Sequence, residues 1–292
     1  MKFVFFGTPE FAAIILEKLI NFGFIPEAVI CNPDRPIGRK KIITPPPVKK
    51  LLIEKLKNYK IKILQPENLV DIKNQLSAVN CQLFVVAAYA KIIPKEILEI
   101  PRLGSIGVHP SLLPKYRGPS PIQSVILNDE KETGVTLFLM DEKVDHGKIV
   151  SSIKYQASSD DNYESLIRKL AELSANLLIE ALSNIEEKIK NAKSQNESFA
   201  TYTKKFTTKD AFIEPANLEK AQGSICSPQE IRRLAIEIDR KIRALNPEPG
   251  TWTLRQAQGK LMRIKLLEVE ITQNGKLKLK KIQTEGKKPK IL

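Results

Sequence analysis

Residues 2–20 read KFVFFGTPEFAAIILEKLI, and they set the pattern for the first two thirds of the chain. The apolar run Lys2–Phe6 is made of β-type residues and stops at Gly7. From Pro9 the apolar positions recur at helical spacing, with the proline in the first turn, where its missing N–H is not needed. This is a strand, a tight turn and a helix. The unit then repeats. Glu27–Cys31 is a buried-type strand, Val48–Tyr59 an amphipathic helix, Ile61–Leu64 a short strand, Asp71–Leu76 a helix and Leu83–Ala88 (LFVVAA) a fully apolar strand. Strands that alternate with helices need crossover connections and imply a parallel sheet buried on both faces. A short helix at Pro94–Leu98, a strand at Ser105–Val108, a helix at Pro121–Asn128, strands at Gly134–Met140 and Lys148–Tyr155, and a long helix from Asp161 to Glu187 continue it. The expected class is α/β with a Rossmann-like order, in which ligands bind at the carboxyl ends of the strands. The turn GTPEFA lacks the G-x-G-x-x-G spacing, so a nicotinamide dinucleotide is not expected.

Residues 188–208 lose the apolar periodicity and gain polar residues, as an interdomain linker does. The expected division is a catalytic domain over 1–187, this linker, and a second domain over 209–292. The second domain holds a helix at Pro228–Leu245, the stop Asn246-Pro247-Glu248-Pro249-Gly250, and short alternating strands around Thr251–Leu254, Leu261–Ile271 and Lys276–Ile282. Such strands suggest a small barrel, a fold that often serves as a nucleic-acid platform. Gln256-Ala257-Gln258-Gly259 reads as an enlarged hairpin turn.

Charge points the same way. The 292-residue chain has a formal charge of +14, and residues 251–292 carry eleven Lys/Arg against three Glu. A basic terminal segment invites a polyanion, although a lysine-rich surface also serves solubility alone. The three cysteines, Cys31, Cys81 and Cys226, are scattered and form no C-x-x-C pair, which suggests neither a disulfide framework nor a zinc site, and fits a reducing cytoplasm. The opening apolar run is too short for a secretory signal, and no stretch approaches the roughly 20 apolar residues needed to span a bilayer.

Candidate chemistry centres on residues 105–118, SIGVHPSLLPKYRG, which contain one of only two histidines. A lone histidine is more often structural than catalytic. His109, however, directly follows a buried strand, precedes a loop stiffened by Pro110 and Pro114, and has a carboxylate available at a second strand end in Asp145-His146-Gly147. A carboxylate that orients and polarises an imidazole makes a general acid/base near neutral pH. Asp145 also fits an ordinary Asp-x-Gly turn. Ser111 lacks the G-x-S-x-G elbow of a serine hydrolase. The long loop Asn32–Pro47 places Arg35, Arg39, Lys40 and Lys41 among prolines, where they could grip phosphates or simply be solvated.

These segments resemble the methionyl-tRNA formyltransferase family along nearly the whole chain. FFGTPEFAA, NPDRPIGRKKIITPPPVK, AYAKIIPKEILEIPRLGSI, HPSLLPKYRGPSPIQ, ETGVTLFLMDEKVDHG and ALNPEPGTWT are similar to the family's motifs, in the family's order. The resemblance implies a Rossmann-like formyltransferase domain, a C-terminal barrel like an OB fold, and transfer of the formyl group of 10-formyltetrahydrofolate to the α-amino group of methionyl initiator tRNA. It implies a monomer without a metal. On it, His109 is the general acid/base, Asp145 its partner, Ser111, Leu112, Leu113 and Pro114 the folate-contacting segment, and Arg39 a contact to the tRNA acceptor end. Ala90 stands where the family usually has glycine. Gly107 departs further, because the family strand ends Asn-Val-His, and the asparagine amide donates to the oxygen that becomes negative. Glycine offers no such donor unless a water, a backbone N–H or another side chain replaces it; losing one costs about 10² to 10³ in rate, and in an impaired member Gly107→Asn is expected to recover activity. Two other readings remain: a catalytically impaired member that keeps tRNA or folate binding, and an N-formyltransferase for a sugar or small amine.

Overall fold

The computed structural model describes residues 1–38, 40–257 and 260–292. The chain separates into two compact units, one of residues 1–119, 132–156 and 167–203, the other of residues 120–131, 157–166 and 204–292. Among the described residues no helix is long and apolar enough to cross a membrane.

The first unit opens with β1 (Phe3–Gly7), α1 (Glu10–Asn21) and β2 (Ala28–Ile30). The hairpin strands β3 (Arg35–Ile37) and β4 (Ile42–Thr44) follow, then α2 (Pro47–Glu54), β5 (Lys62–Leu64), α3 (Lys73–Ala78), β6 (Leu83–Ala87), α4 (Lys95–Leu98) and β7 (Ser105–His109). After α5 (Pro121–Leu127), which belongs to the second unit, come β8 (Glu132–Leu139), β9 (Ile149–Gln156), α6 (Tyr163–Ser183) and α7 (Ile185–Lys190). The sheet order is β5-β2-β1-β6-β7-β8-β9. Pairings from β5 to β7 are parallel and the last two are antiparallel.

All five residues of β1, β6 and β7 are buried, as continuous apolar strands covered on both faces require. One face packs Val4, Phe6, Ile30, Phe84 and Val86 with Ile72, Leu76 and Ile97 of the connecting segments. Each such side chain contributes about 1.5–3 kcal/mol on burial. The strand order reverses between β1 and β6, which places a crevice outside their carboxyl ends. Burial also pushes the Cys31 thiol up to about 12 and the Cys81 thiol up to about 11.

Three departures from the sequence reading have local causes. The long loop after β2 contains the β3–β4 hairpin, in register Arg35↔Thr44 and Ile37↔Ile42, and Gly38 takes the positive φ (+72°) of its turn. The helix expected over 48–59 stops at Glu54 and finishes as a 3₁₀ turn, Lys57–Tyr59, closed by Lys60 in the left-handed region. The long helix divides at Asn184, whose φ of −136° interrupts the helical backbone.

The second unit holds α5, α8 (Pro215–Ala221), α9 (Pro228–Leu245) and the strands β10 (Trp252–Ala257), β11 (Lys260–Ile271), β12 (Leu277–Thr284) and β13 (Lys290–Ile291). The strands expected to form a small barrel make a four-stranded antiparallel sheet in chain order. Helix α9 starts on a Ser227 hydroxyl that accepts from the Glu230 amide, with Pro228 next in the first turn. Its face of Leu234, Ala235, Ile238 and Ile242 packs on Ile264, Leu266, Leu277 and Ile282 of the sheet. The turn at 256–259 includes Gln258 and Gly259, which lie outside the described residues.

Candidate active site

Strand β7 carries His109 to the carboxyl edge of the first unit's sheet, beside β6 and the point where the strand order reverses. His109 is 6% exposed. The loop after it is braced from β8. The Thr136 hydroxyl donates to the Ser111 carbonyl at 2.7 Å and accepts from the Leu113 amide at 3.1 Å. The Ser111 hydroxyl donates to the Lys115 carbonyl at 2.6 Å. The loop then passes its Tyr116 carbonyl to His109, 2.9 Å from Nε2. A carbonyl can only accept, so the hydrogen of this contact belongs to Nε2 and Nδ1 faces the other way.

What Nδ1 faces is Asp145, with Oδ2 3.6 Å away. At that separation the charge is felt without a committed hydrogen bond. The same Oδ2 accepts the Gly118 amide at 2.7 Å, which orients the carboxylate. Asp145 has φ +48°, a left-handed conformation that Asp tolerates better than most residues. Two residues on, a Cβ at Gly147 would collide with the Leu139 carbonyl, so the loop needs glycine there. An imidazole whose far nitrogen is fixed by a carbonyl, and whose near nitrogen faces a carboxylate, is arranged to take up and return a proton. His146 points elsewhere, with Nδ1 2.6 Å from Asp141 and Nε2 3.6 Å from Glu197.

The sequence reading did not single out the group that surrounds this pair. Arg117 is 0% exposed, and its guanidinium donates to both oxygens of Glu197, at 2.6 and 2.9 Å, to Gln195 Oε1 and to the Tyr202 hydroxyl. The bidentate pairing holds the Glu197 carboxyl below its usual range and raises Arg117 further. Arg117 was legible as the arginine of LLPKYRG. Gln195 and Glu197 had no signal, because a polar stretch without periodicity reads as a linker.

Gly107 is the position where the structure adds a steric constraint. It pairs across the ladder with Phe138 of β8, and cross-strand partners share a face. A Cβ at 107 would stand 2.5 Å from Phe138 Cζ and 3.2 Å from Met140 Cγ. Phe138 is itself 2% exposed, so its ring has little room to move aside. An asparagine side chain at 107 therefore needs the Phe138 ring to shift before it can offer a donor. Ala90 has φ +64°, in the region that favours glycine.

Of the segment matched to folate contact, Ser111 and Leu113 are buried within the loop, while Leu112 and Pro114 are half-buried. In the basic hairpin Arg35 is paired to Glu67 at 2.7 Å between exposed side chains, Lys40 and Lys41 are exposed, and Arg39 lies outside the described residues. The hairpin's base is anchored by Lys49, which donates to both Asp34 oxygens at 2.8 and 2.9 Å and to Gln65.

Comparison with known proteins bears on the family of the chain. The profile of the formyl transferase family matches residues 1–182, and that of the formyl transferase C-terminal domain matches residues 217–278. The methionyl-tRNA formyltransferase of Caldicellulosiruptor saccharolyticus is 37% identical over 313 residues, covering 98% of this chain and 93% of that protein. That of Dictyoglomus thermophilum is 39% identical over 267 residues, covering 90% and 78%. The solved methionyl-tRNA formyltransferase from Clostridium thermocellum shares the fold, with a TM-score of 0.60 at 17% identity over 97% of this chain and 98% of that one. With two family domains matched in order and relatives of this identity aligned over most of their length, the chain belongs to the methionyl-tRNA formyltransferase family.

Proposed function

We propose that this chain transfers the formyl group of 10-formyltetrahydrofolate to the α-amino group of methionyl initiator tRNA. The observation that carries the reading is the His109–Asp145 pair at the carboxyl end of β7, in a chain of this family. His109 takes the proton that the amine releases as its nitrogen bonds to the formyl carbon, and returns one to the departing folate nitrogen as that bond breaks. Asp145 stabilises the imidazolium between the two transfers. Ser111–Pro114 border the folate, and Arg35, Arg39, Lys40 and Lys41 bind the tRNA. The proposal includes a catalytic domain over 1–187, a connecting segment over 188–208 and a tRNA-binding domain over 209–292, acting as a monomer in the cytoplasm.

Formylation of Met-tRNA is expected to fall by about 10² to 10⁴ in His109→Ala and in Asp145→Asn, with tRNA binding retained. Unchanged rates in both would remove the mechanism. A second reading, a slowed or impaired member that keeps tRNA or folate binding, is favoured by one observation: Phe138 fills the side-chain space of Gly107. It predicts tRNA or folate binding with little or no turnover.

A further inference from the structure

The stretch from Lys193 to Thr203 lies in the segment whose composition reads as a linker, yet one end is fastened to the start of β9, just past the Asp145 loop, and the other to the loop after β7. At one end Lys193 exchanges two backbone hydrogen bonds with Ile149, of 2.8 and 2.9 Å. At the other, the Arg117 amide donates to the Thr201 carbonyl at 2.8 Å and the Thr203 amide to the Arg117 carbonyl at 2.7 Å. Between them Gln195 spends both ends of its carboxamide on the site. Its Nε2 donates to the Asp145 carbonyl at 2.9 Å and the Gly147 carbonyl at 2.8 Å. Its Oε1 accepts from Arg117 Nε at 3.1 Å and Nη2 at 2.7 Å.

The two loops joined by this one side chain are the two that hold the proton-transfer pair. Arg117 sits between Tyr116, whose carbonyl fixes His109 Nε2, and Gly118, whose amide fixes Asp145 Oδ2. The Asp145 backbone is in the left-handed region, so the direction of its carboxylate depends on the tilt of the turn that Gln195 pins on both sides of residue 146. We infer that Gln195 is a positioning residue for the His109–Asp145 pair, with the Arg117–Glu197 pair as its anchor. The inference rests on the catalytic reading of that pair. A displacement of about 1 Å in such a pair is enough to cost up to about a hundredfold in rate.

Gln195→Glu is the informative substitution. It keeps an oxygen for Arg117 and replaces the amide that serves the Asp145 and Gly147 carbonyls by an oxygen that repels them. Gln195→Ala is the second variant, in which Arg117 stays paired with Glu197 and Tyr202, so the buried guanidinium keeps partners either way. Full-length protein carrying each change is compared with the parent and with Asp145→Asn in Met-tRNA formylation, for kcat, for KM of both substrates, for the pH profile of kcat and for Tm. The expected result is a loss of about tenfold or more in kcat in both Gln195 variants, KM within about twofold, Tm near the parent's and a displaced pH profile. Protection of the Gly118 amide against hydrogen exchange falls in parallel, since its acceptor is Asp145. If Asp145→Asn loses activity while both Gln195 variants keep the parental kcat, the positioning role is wrong. If kcat falls only together with Tm and with an unshifted pH profile, Gln195 is a structural staple and the inference is equally wrong. If Asp145→Asn itself keeps its activity, the catalytic reading has failed and the inference falls with it.

Discussion

Gly107 and Phe138 show how one missing side chain is compensated by its neighbour across the ladder. The ring tips that a Cβ at 107 would meet, Cε1 and Cζ, are the atoms that phenylalanine has and leucine lacks. Gly107→Asn alone is therefore expected to destabilise the chain by about 1–3 kcal/mol through overpacking and to leave formylation no faster. The double variant Gly107→Asn/Phe138→Leu removes the ring tips, and a rate gain of up to about 10² over the parent is expected there if a donor at 107 reaches the developing charge. Thermal melts and formylation rates of the single and double variants decide it, and a single variant as stable as the parent and faster would show that the ring swings aside. At this scale the sequence was informative where a motif carries the chemistry. His109 and Asp145 stand out because each lies past a strand, His109 next to Pro110 and Asp145 two residues before Gly147. It was silent on Phe138, whose role exists only through antiparallel register, and on Gln195, whose partners lie 48 to 78 positions away.

Among the elements, the repeating strand-helix units were readable because their physical signal is local. Continuous apolar strands such as β6 and helices with a proline in the first turn announce themselves, and their boundaries shift by only a few residues in the structure. The β3–β4 hairpin and the site-bound part of 188–208 were not readable, since neither buries an apolar face. Exposed Ile37, Ile42 and Ile43 give the hairpin no inward pattern, and the 193–203 stretch is held by hydrogen bonds and the Arg117–Glu197 ion pair. A segment held that way should respond to acid. Arg117 lowers the carboxyl of Glu197 in the folded chain, so the pair's contribution to stability is complete above the ordinary glutamate value of 4.5 and is lost as pH falls through the lowered folded value. Glu197→Gln is expected to melt below the parent at pH 7, and the gap between the two should narrow on acidification below about pH 4.5. Parallel melting curves at pH 7 and pH 3.5 test this, and a gap that stays constant across that range would mean the ion pair does not support the segment.

Across the whole molecule the net charge of +14 is not simply a coat of unpaired lysines. On the C-terminal sheet Lys280 pairs with Glu270 at 2.5 Å and Lys281 with Glu268 at 2.8 Å, so part of the local charge is answered across the strands. Arg35 in the hairpin is likewise paired, whereas Lys40 and Lys41 stand exposed at its turn. Exposed pairs of this kind contribute only about 0–1 kcal/mol to folding, so the basic excess has little to do with stability and is better understood through a polyanionic partner. If the hairpin turn meets tRNA phosphates, each lysine lost removes about 0.7–0.9 from the magnitude of the slope of log K against log salt. Lys40→Ala/Lys41→Ala is expected to weaken initiator-tRNA binding, to flatten that slope by about 1.5, and to leave kcat at saturating tRNA unchanged. Binding titrations between about 50 and 200 mM salt read the slope directly. An unaltered slope with unaltered affinity would move the phosphate contacts away from the hairpin and leave the basic C-terminal sheet to supply them.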